Sequence, residues 1–178
     1  MMSYLIPDPE RRRRLLPRFL GSVQSYCLRY GEATVTADLG GVACWLPPGA
    51  TDVKPLRMVR AGVVTVVPRL GPGGLARFAK LIPVMERAHH AVMPAPHWYL
   101  WLLATEPDRR SEGIGGALLT PVLARADTAG LPVYLETHFE ANLRFYGRYG
   151  FRPVVNEVAN GLRFWGLRRP VTDVAAPL

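Results

Sequence analysis

An arginine and two spaced glycines precede an amphipathic stretch, in the pattern Arg110-x-x-Gly113-x-Gly115. An apolar run ends at Thr105, and Pro107 turns the chain before this pattern. The first N–H groups of a helix have no partner within it, and the helix dipole adds partial positive charge at the same end. Glycines let anionic oxygens approach such N–H groups, and an arginine adds a charged donor. The pattern therefore predicts a pyrophosphate-binding loop at the start of a helix.

Two other phosphate-binding loops do not fit this segment. A Walker loop requires Gly-Lys-Ser/Thr after its glycines, whereas Gly116-Ala117-Leu118 follows here. The Rossmann fingerprint requires a small residue three positions after Gly115, and the chain has Leu118 there. A glycine-rich turn without a ligand remains the alternative.

The elements around the loop alternate between strand and helix. Residues 97–105 are aromatic and aliphatic throughout, which predicts a strand buried on both faces. The apolar spacing then predicts a helix over 113–129, a strand over 133–137 and a short helix over 141–149. Pro121 is expected to kink the first of these helices. Asn160-Gly161 predicts the turn of a closing hairpin over 151–158 and 162–167.

The N-terminal half is expected to supply helices and one hairpin. Helical spacing over 10–30 predicts a helix that ends at Gly31, with Pro17 in its first turn or breaking it in two. The segments after it are predicted as strands over 34–37 and 42–46 and as helical pieces between 54 and 90, the last over 75–91. The order of elements predicts a single α+β domain over 1–178.

Composition narrows the choice of partners. The net charge of +8 suits an anionic partner such as nucleic acid, a membrane surface or a polyphosphate cofactor. The four arginines at 11–14 are interpreted as a solvated helix face, because a nucleic-acid-binding arm would add more clustered cations and exposed aromatics. No apolar run is long enough to span a membrane, and the N-terminus lacks a secretory pattern. We therefore expect a cytoplasmic protein without nucleic-acid or membrane partners.

The metal-ligating residue types do not cluster. Cys27 and Cys44 form no CxxC pair and are interpreted as two reduced core thiols. The four histidines have no accompanying acidic or cysteine ligands at metal-binding spacing, so no metal is expected.

Two segments resemble the GNAT N-acetyltransferase superfamily. The loop Arg110-x-x-Gly113-x-Gly115 is similar to its acetyl-CoA signature. Leu135-Glu136-Thr137, followed by Asn142-Leu143-x-Phe145-Tyr146 and Tyr149-Gly150-Phe151, resembles its second conserved segment. The resemblance covers 97–170 and, within the superfamily, is greatest to puromycin N-acetyltransferase-like members. It implies a mixed, mostly antiparallel sheet flanked by helices and splayed at the cofactor, and transfer of acetyl from acetyl-CoA to the primary amine of a small molecule.

The resemblance assigns the cofactor contacts to three groups of residues. Pantetheine would pair with the strand backbone at Leu103, Ala104 and Thr105, and an N–H near Leu103 would polarise the thioester carbonyl. Asn142 and Phe145, on the helix that Asn142 begins, would lie beside the pantetheine arm and the thiol. The pyrophosphate would be held by backbone N–H groups of the loop, namely those of Arg110, Ser111, Glu112, Gly113, Ile114, Gly115, Gly116 and Ala117.

The resemblance also suggests the proton-transfer groups. Tyr146 matches the tyrosine that protonates the leaving thiolate in many members, and packing beside Phe145 is the alternative role. Glu136 is the first candidate for the base that deprotonates the amine, directly or through water, and orienting the substrate is its alternative role.

Five other side chains are weaker candidates for the acceptor side. His138, His89 and His90 are less favoured bases than Glu136, and the last two are expected to cap a helix or lie on the surface. His97 could line the acceptor pocket together with Trp98, although strand packing is the expected role of both residues.

The N-terminal half departs from the family pattern. Residues 1–92 would form the acceptor side, and 97–170 would form the acetyl-CoA-binding core. Family members usually begin with a strand and a helix before the segment that starts here, and residues 1–9 are too short and proline-rich to supply that strand. Either translation starts upstream or the sheet lacks its first strand. A non-catalytic acyl-CoA-binding or regulatory domain is the main alternative function, and a homodimer is left open.

Overall fold

The computed structural model describes residues 1–171, which contain seven α-helices, two short 3-10 helices (Val67–Leu70 and Pro107–Arg109) and six strands. The helices are α1 (Met2–Leu5), α2 (Pro9–Tyr30), α3 (Pro55–Arg60), α4 (Val63–Val66), α5 (Gly71–Val92), α6 (Ile114–Thr128) and α7 (Ala141–Gly147). The strands are β1 (Glu32–Val35), β2 (Gly41–Leu46), β3 (Trp98–Thr105), β4 (Val133–Thr137), β5 (Arg152–Ala159) and β6 (Leu162–Arg169).

The six strands form one sheet in the order β1-β2-β3-β4-β6-β5. Neighbouring strands are antiparallel except β3 and β4, which are parallel. The predicted α+β class, with a mixed and mostly antiparallel sheet flanked by helices, is confirmed. Before α2, the described part of the chain has the short helix α1 and no strand, so β1 forms one edge of the sheet.

The parallel pair β3–β4 separates after three residues. Trp98 to Leu100 pair with Val133 to Leu135, and beyond Leu100 strand β3 pairs only with β2. Trp101 is an extra residue in β3, because Cys44 pairs with Leu102 while the next residue of β2 pairs with Leu100. Such a bulge bends a strand and increases its twist. The result is a gap between β3 and β4, the splay that the resemblance implied.

The gap also corrects the prediction that β3 is buried on both faces. Its first three residues are buried, whereas the five from Trp101 to Thr105 are only half-buried. The prediction therefore holds where β4 pairs with β3 and is wrong where β4 has turned away.

Helices cover both faces of the sheet, and strand alternation assigns successive residues to opposite faces. On one face, Leu100 and Leu135 pack against α6 and against Tyr146 of α7. On the other face, Tyr99 and Tyr134 pack in a cluster that includes Tyr26 of α2. Helix α5 covers β5 and β6 on that second face, through residues such as Met85.

Helices α2 and α6 both continue through an internal proline. Helix α2 starts at Pro9 and continues through Pro17 to Tyr30, so the predicted break is wrong. Asp8 caps its first turn by accepting a hydrogen bond from the Arg11 N–H at 2.6 Å. The loss of one hydrogen bond at Pro17 is outweighed by packing over 22 residues. Helix α6 also continues through Pro121, and the kink expected there stays a prediction.

Helix α5 begins earlier than predicted, at Gly71 rather than at residue 75. The two cysteines are buried and reduced, as expected. Among residues 1–171, no helix combines the length and the apolar character that crossing a membrane requires.

Candidate active site

The loop before α6 presents a row of unpaired backbone N–H groups. Ser111 and Gly113 have left-handed φ values of 73° and 83°, which turn the chain sharply into the helix. The first helical hydrogen bond runs from the Ala117 N–H to the Gly113 carbonyl at 3.0 Å. The N–H groups of residues 110–116 make no hydrogen bond within residues 1–171. These groups are therefore free for an anion, whereas the predicted contribution of the Ala117 N–H is not supported.

Two glycines at the start of α6 pack closely against aromatic side chains. A Cβ at Gly115 would lie 3.0 Å from the ring of Phe145, and one at Gly116 would overlap the Tyr149 hydroxyl. By contrast, a Cβ at Gly113 would meet no atom within 4 Å. The close approach of α7 to α6 therefore requires a small residue at Gly115. Phosphate access, the reason predicted from the sequence, stays a prediction.

Arg109, which the sequence did not single out, ties the loop to the turn between β1 and β2. Its guanidinium donates to Asp38 at 2.5 Å and to Glu112 at 3.0 Å. Hydrogen bonds from Thr36 and Arg109 hold the pKa of Asp38 well below its usual range. Two carboxylates near an anion site would repel the anion, and Arg109 compensates for them. A surface cavity of about 400 Å³ lies between this turn and the start of α6.

Arg110 differs from Arg109 in having no partner. Its side chain is exposed and makes no hydrogen bond or ion pair with another described residue. It is therefore available to an incoming anion.

The predicted pantetheine residues lie along the open part of β3. Leu103, Ala104 and Thr105 pair with β2 on one side and have no strand partner on the side of β4. Leu103 and Phe145 both lie close to the Cα of Gly115, so the strand, the loop and α7 meet at this point. The Asn142 side-chain N–H donates to the Thr137 hydroxyl at 2.9 Å, which fixes the start of α7 at the end of β4.

Tyr146 is buried on the α6 side of the sheet, in the cluster that contains Leu100 and Leu135. Its ring lies against those of Phe145 and Phe151, with centroid distances of 5.0 and 5.8 Å. Burial raises the pKa of its hydroxyl to about 12. That hydroxyl makes no hydrogen bond to another residue in the range 1–171. It is therefore a protonated and unpaired donor at neutral pH.

Glu136 lies one residue beyond the last β3–β4 pair and is half-buried. Its carboxylate accepts hydrogen bonds from the hydroxyls of Tyr99 at 2.7 Å and Tyr134 at 3.4 Å. Burial raises the pKa of Glu136 to about 7, although both hydrogen bonds lower it. A carboxylate with a pKa near the working pH can accept a proton from an amine and later release it.

Glu136 and Tyr146 belong to opposite faces of the sheet. Leu135 points toward α6, so Glu136 lies on the other face with Tyr134, whereas Tyr146 packs beside Leu135. The gap between β3 and β4 separates the two groups. An acyl donor bound in the gap would thus meet a proton donor on one side and a proton acceptor on the other.

The histidines occupy varied positions. His89 is buried within α5, which makes the predicted surface or capping role wrong for it, while His90 is exposed and bonds to Asp52 at 2.9 Å. His138 lies 3.3 Å from the Arg163 carbonyl, and burial lowers its pKa to about 4. His97 is buried and bonds to His89 at 2.8 Å. No group of three potential metal ligands occurs in the part of the chain described here.

Comparison with known proteins places the chain in a family. Residues 64–153, about half of the chain, match the family model described as an acetyltransferase (GNAT) domain. A Schizosaccharomyces pombe protein described as an uncharacterized N-acetyltransferase is 25% identical over 125 residues, which are 68% of this chain and 51% of that protein. The chain thus spans about half the length of this curated relative.

A solved structure supports the fold independently. The structure described as histone acetyltransferase HPA2 and related acetyltransferase from Corynebacterium glutamicum aligns with a TM-score of 0.60 and 22% identity. The alignment covers 97% of this chain and 82% of that one. Since the family model includes the open loop, the start of α6 and the whole of β4, the chain belongs to the GNAT acetyltransferase domain family.

Proposed function

We propose that the chain is an N-acetyltransferase that moves an acetyl group from acetyl-CoA to the primary amine of a small molecule. The observation that carries this proposal is the gap between β3 and β4. It opens beyond Leu100 and Leu135, with unpaired loop N–H groups near one end and Glu136 at its rim.

The residues present fit acetyl-CoA. The free N–H groups of 110–116 and the unpaired Arg110 suit its pyrophosphate. The open edge of β3 at residues 103–105 offers backbone groups to pantetheine, and Asn142 and Phe145 lie at the other side of this region. When bound, acetyl-CoA would supply the activated acetyl group.

Two side chains of the chain then move protons. Glu136 accepts the proton that the ammonium or amine must lose, and its raised pKa makes the return of that proton to solvent easy near neutral pH. Tyr146 donates its proton to the departing sulfur, since burial keeps it protonated. The two steps occur on opposite faces of the sheet, so neither group competes for the other's proton.

A small-molecule acceptor is proposed on the resemblance to puromycin N-acetyltransferase-like members. The Corynebacterium glutamicum structure carries the description of a histone acetyltransferase, so a protein amine is the acceptor to test against. The N-terminal helices, which would contact the acceptor, lie largely outside the residues that carry the resemblance.

Release of free thiol from acetyl-CoA across a library of amines and basic peptides tests the proposal. Tyr146→Phe should lower kcat about a hundredfold while calorimetry shows coenzyme A binding unchanged. Tyr4→Phe, which removes a hydroxyl bonded to the Asn160 carbonyl, is the matched control. Binding of coenzyme A without turnover of any amine would favour the non-catalytic alternative, and absence of binding would overturn the cofactor site.

A further inference from the structure

Two tyrosines hold the Glu136 carboxylate, one at each oxygen. The Tyr99 hydroxyl donates to Oε2 at 2.7 Å, and the Tyr134 hydroxyl donates to Oε1 at 3.4 Å. Tyr99 and Tyr134 are register partners on the parallel strands, and Glu136 follows Tyr134 by two residues. All three therefore share the face of the sheet that α2 and α5 cover. Gly166, which pairs with Glu136, leaves the space that the Tyr134 hydroxyl occupies.

Buried histidines support the tyrosines from behind. The His89 ring is stacked on Tyr134 with centroids 4.3 Å apart, and it lies 4.7 Å from the ring of Tyr99. His89 Nε2 is 2.8 Å from His97 Nε2, and His97 Nδ1 is 2.8 Å from the Ala95 carbonyl. A carbonyl only accepts, so the neutral His97 ring carries its proton on Nδ1 and accepts at Nε2 from His89.

This arrangement has one stable protonation pattern. Burial lowers the pKa of His89 to about 3 and also lowers that of His97, so both rings are neutral at physiological pH. Burial raises the pKa of both Tyr99 and Tyr134, so both remain donors. The donors and acceptors of these hydrogen bonds therefore stay the same over the pH range in which Glu136 titrates.

We infer that Tyr99 and Tyr134 are positioning residues that orient the Glu136 carboxylate toward the gap and that Tyr99 stabilises its ionised form. The inference rests on the proposed function, in which Glu136 is the base. It extends that function because Tyr99 and Tyr134 would give Glu136 the orientation and the ionised state that a base requires.

Within residues 1–171, none of the charged side chains near Glu136 stabilises its ionised form, so the tyrosine hydroxyls must do so. Glu86 of α5 acts on Glu136, and Glu157 of β5 acts on Tyr134, so both neighbouring carboxylates disfavour further negative charge. Arg168 of β6 acts on His97, one layer behind. With the His89 ring of α5 neutral and no cation among the groups that act on Glu136, the short hydrogen bond from Tyr99 is the main interaction favouring ionisation.

Titration of the carboxyl group itself tests the inference. Protein labelled with carbon-13 at the glutamate side-chain carboxyl would be followed by NMR against pH, with Glu136→Gln to assign the signal. Tyr99→Phe should raise the titration midpoint by about one pH unit, since a hydrogen bond to a charged group is lost. Tyr134→Phe should raise it less, because its bond is longer. The control Tyr4→Phe, which removes a hydroxyl that within residues 1–171 bonds only to Asn160, should leave it unchanged.

Kinetics provides the second readout. In Tyr99→Phe, the acidic limb of kcat/KM should move to higher pH by the same amount as the titration, and kcat should fall more than KM rises. A Tyr99→Phe carboxyl that titrates like the wild type would overturn the inference. Should that variant fail to fold, as judged by near-ultraviolet circular dichroism, Tyr134→Phe decides the question by the same criterion.

The titration separates this inference from the proposed function. A wild-type protein that acetylates no amine contradicts the proposed function, yet the carboxyl midpoint still reports whether Tyr99 stabilises the ionised form. Suppose that Tyr99→Phe raises the carboxyl midpoint as expected but keeps full activity and an unchanged acidic limb of kcat/KM. That result would show that Glu136 is not the base, and it would overturn the positioning role.

Discussion

At the residue scale, the proposed role of Glu136 as the base predicts that activity depends on pH. A base must be ionised to act, and burial raises the pKa of this carboxyl to about 7. We expect kcat/KM to fall about tenfold for each pH unit below that value and to level off above it. Measurement of the pH–rate profile checks this, with Glu136→Gln losing the acidic limb together with most of the activity. An acidic limb near pH 4 would assign the proton to another group.

The same carboxyl affects the stability of the fold. The pKa of Glu136 is raised in the folded chain from an ordinary value of 4.5, so folding favours its protonated form. Its contribution to stability is therefore full below about pH 4.5 and is lost as the pH rises through about 7.

Glu136→Gln removes this dependence. The variant should gain on the order of 1–3 kcal/mol in the free energy of unfolding relative to the wild type between pH 5 and pH 8.5. Denaturant unfolding at both pH values measures the difference. Glu140→Gln, at an exposed position near the same strand, is the control and should show no such gain. A gain of equal size at both pH values would mean that burial does not perturb Glu136.

At the element scale, contact between α6 and α7 aligns the loop with the gap. Phe145 and Tyr149 press on Gly115 and Gly116, so the first turn of α6 is seated directly against the aromatic residues of α7 and its following turn. The N–H groups that are proposed to bind the pyrophosphate belong to that turn or lead directly into it. Their position therefore depends on two side chains that contact no pyrophosphate.

Substitution at this contact should be costly. Gly116→Ala places a methyl group on the Tyr149 hydroxyl, and we expect a loss of about 1–3 kcal/mol in stability. Adding Tyr149→Phe removes the overlapping oxygen and should restore part of the loss. Thermal unfolding of both single variants and the double variant measures the coupling. Gly113→Ala is the comparison, because it has open space and only its left-handed φ opposes the change. Additive effects of the two changes would contradict the packing argument.

Most elements could be predicted from the sequence, because hydrophobic periodicity and turn residues are local. Asn160 and Gly161 have the positive φ values of 49° and 86° that a two-residue hairpin turn requires, so that hairpin formed where it was expected. The continuity of α2 through Pro17 could not be predicted, because tertiary packing decides it. The family resemblance, rather than the residues alone, suggested the gap between β3 and β4.

The side chains that hydrogen-bond to the site residues were harder to predict from the sequence. Tyr99 and Tyr134 share a face with Glu136, and period-two alternation within β4 was a signal for Tyr134. Tyr99 required the register between β3 and β4, which is a long-range feature. Arg109 and Asp38 are 71 residues apart, and nothing in either local sequence pairs them.

At the scale of the whole molecule, the positive net charge could itself attract an anionic cofactor. The net charge is +8, and an anion could be drawn by the general field or by the loop alone. Substitutions at Arg110 and Arg14 can separate the effect of the general field from that of the loop. Both side chains are exposed, and neither makes an ion pair with a described residue, so each substitution by glutamine lowers the net charge equally.

Arg110→Gln should raise the Kd for coenzyme A about tenfold, because one charge-assisted hydrogen bond to phosphate is worth about 1.5–3 kcal/mol. Arg14→Gln should change it less than about twofold, since an exposed charge on α2 acts on the cofactor through solvent and is weakened by salt. Calorimetry at low and moderate ionic strength measures both variants. If both substitutions weakened coenzyme A binding equally, and if the difference from wild type vanished at higher salt, the general field of the protein would account for the attraction. The loop would then lack its proposed role. A selective effect at Arg110 that persists at higher salt is expected, because a direct contact is screened much less than a long-range field.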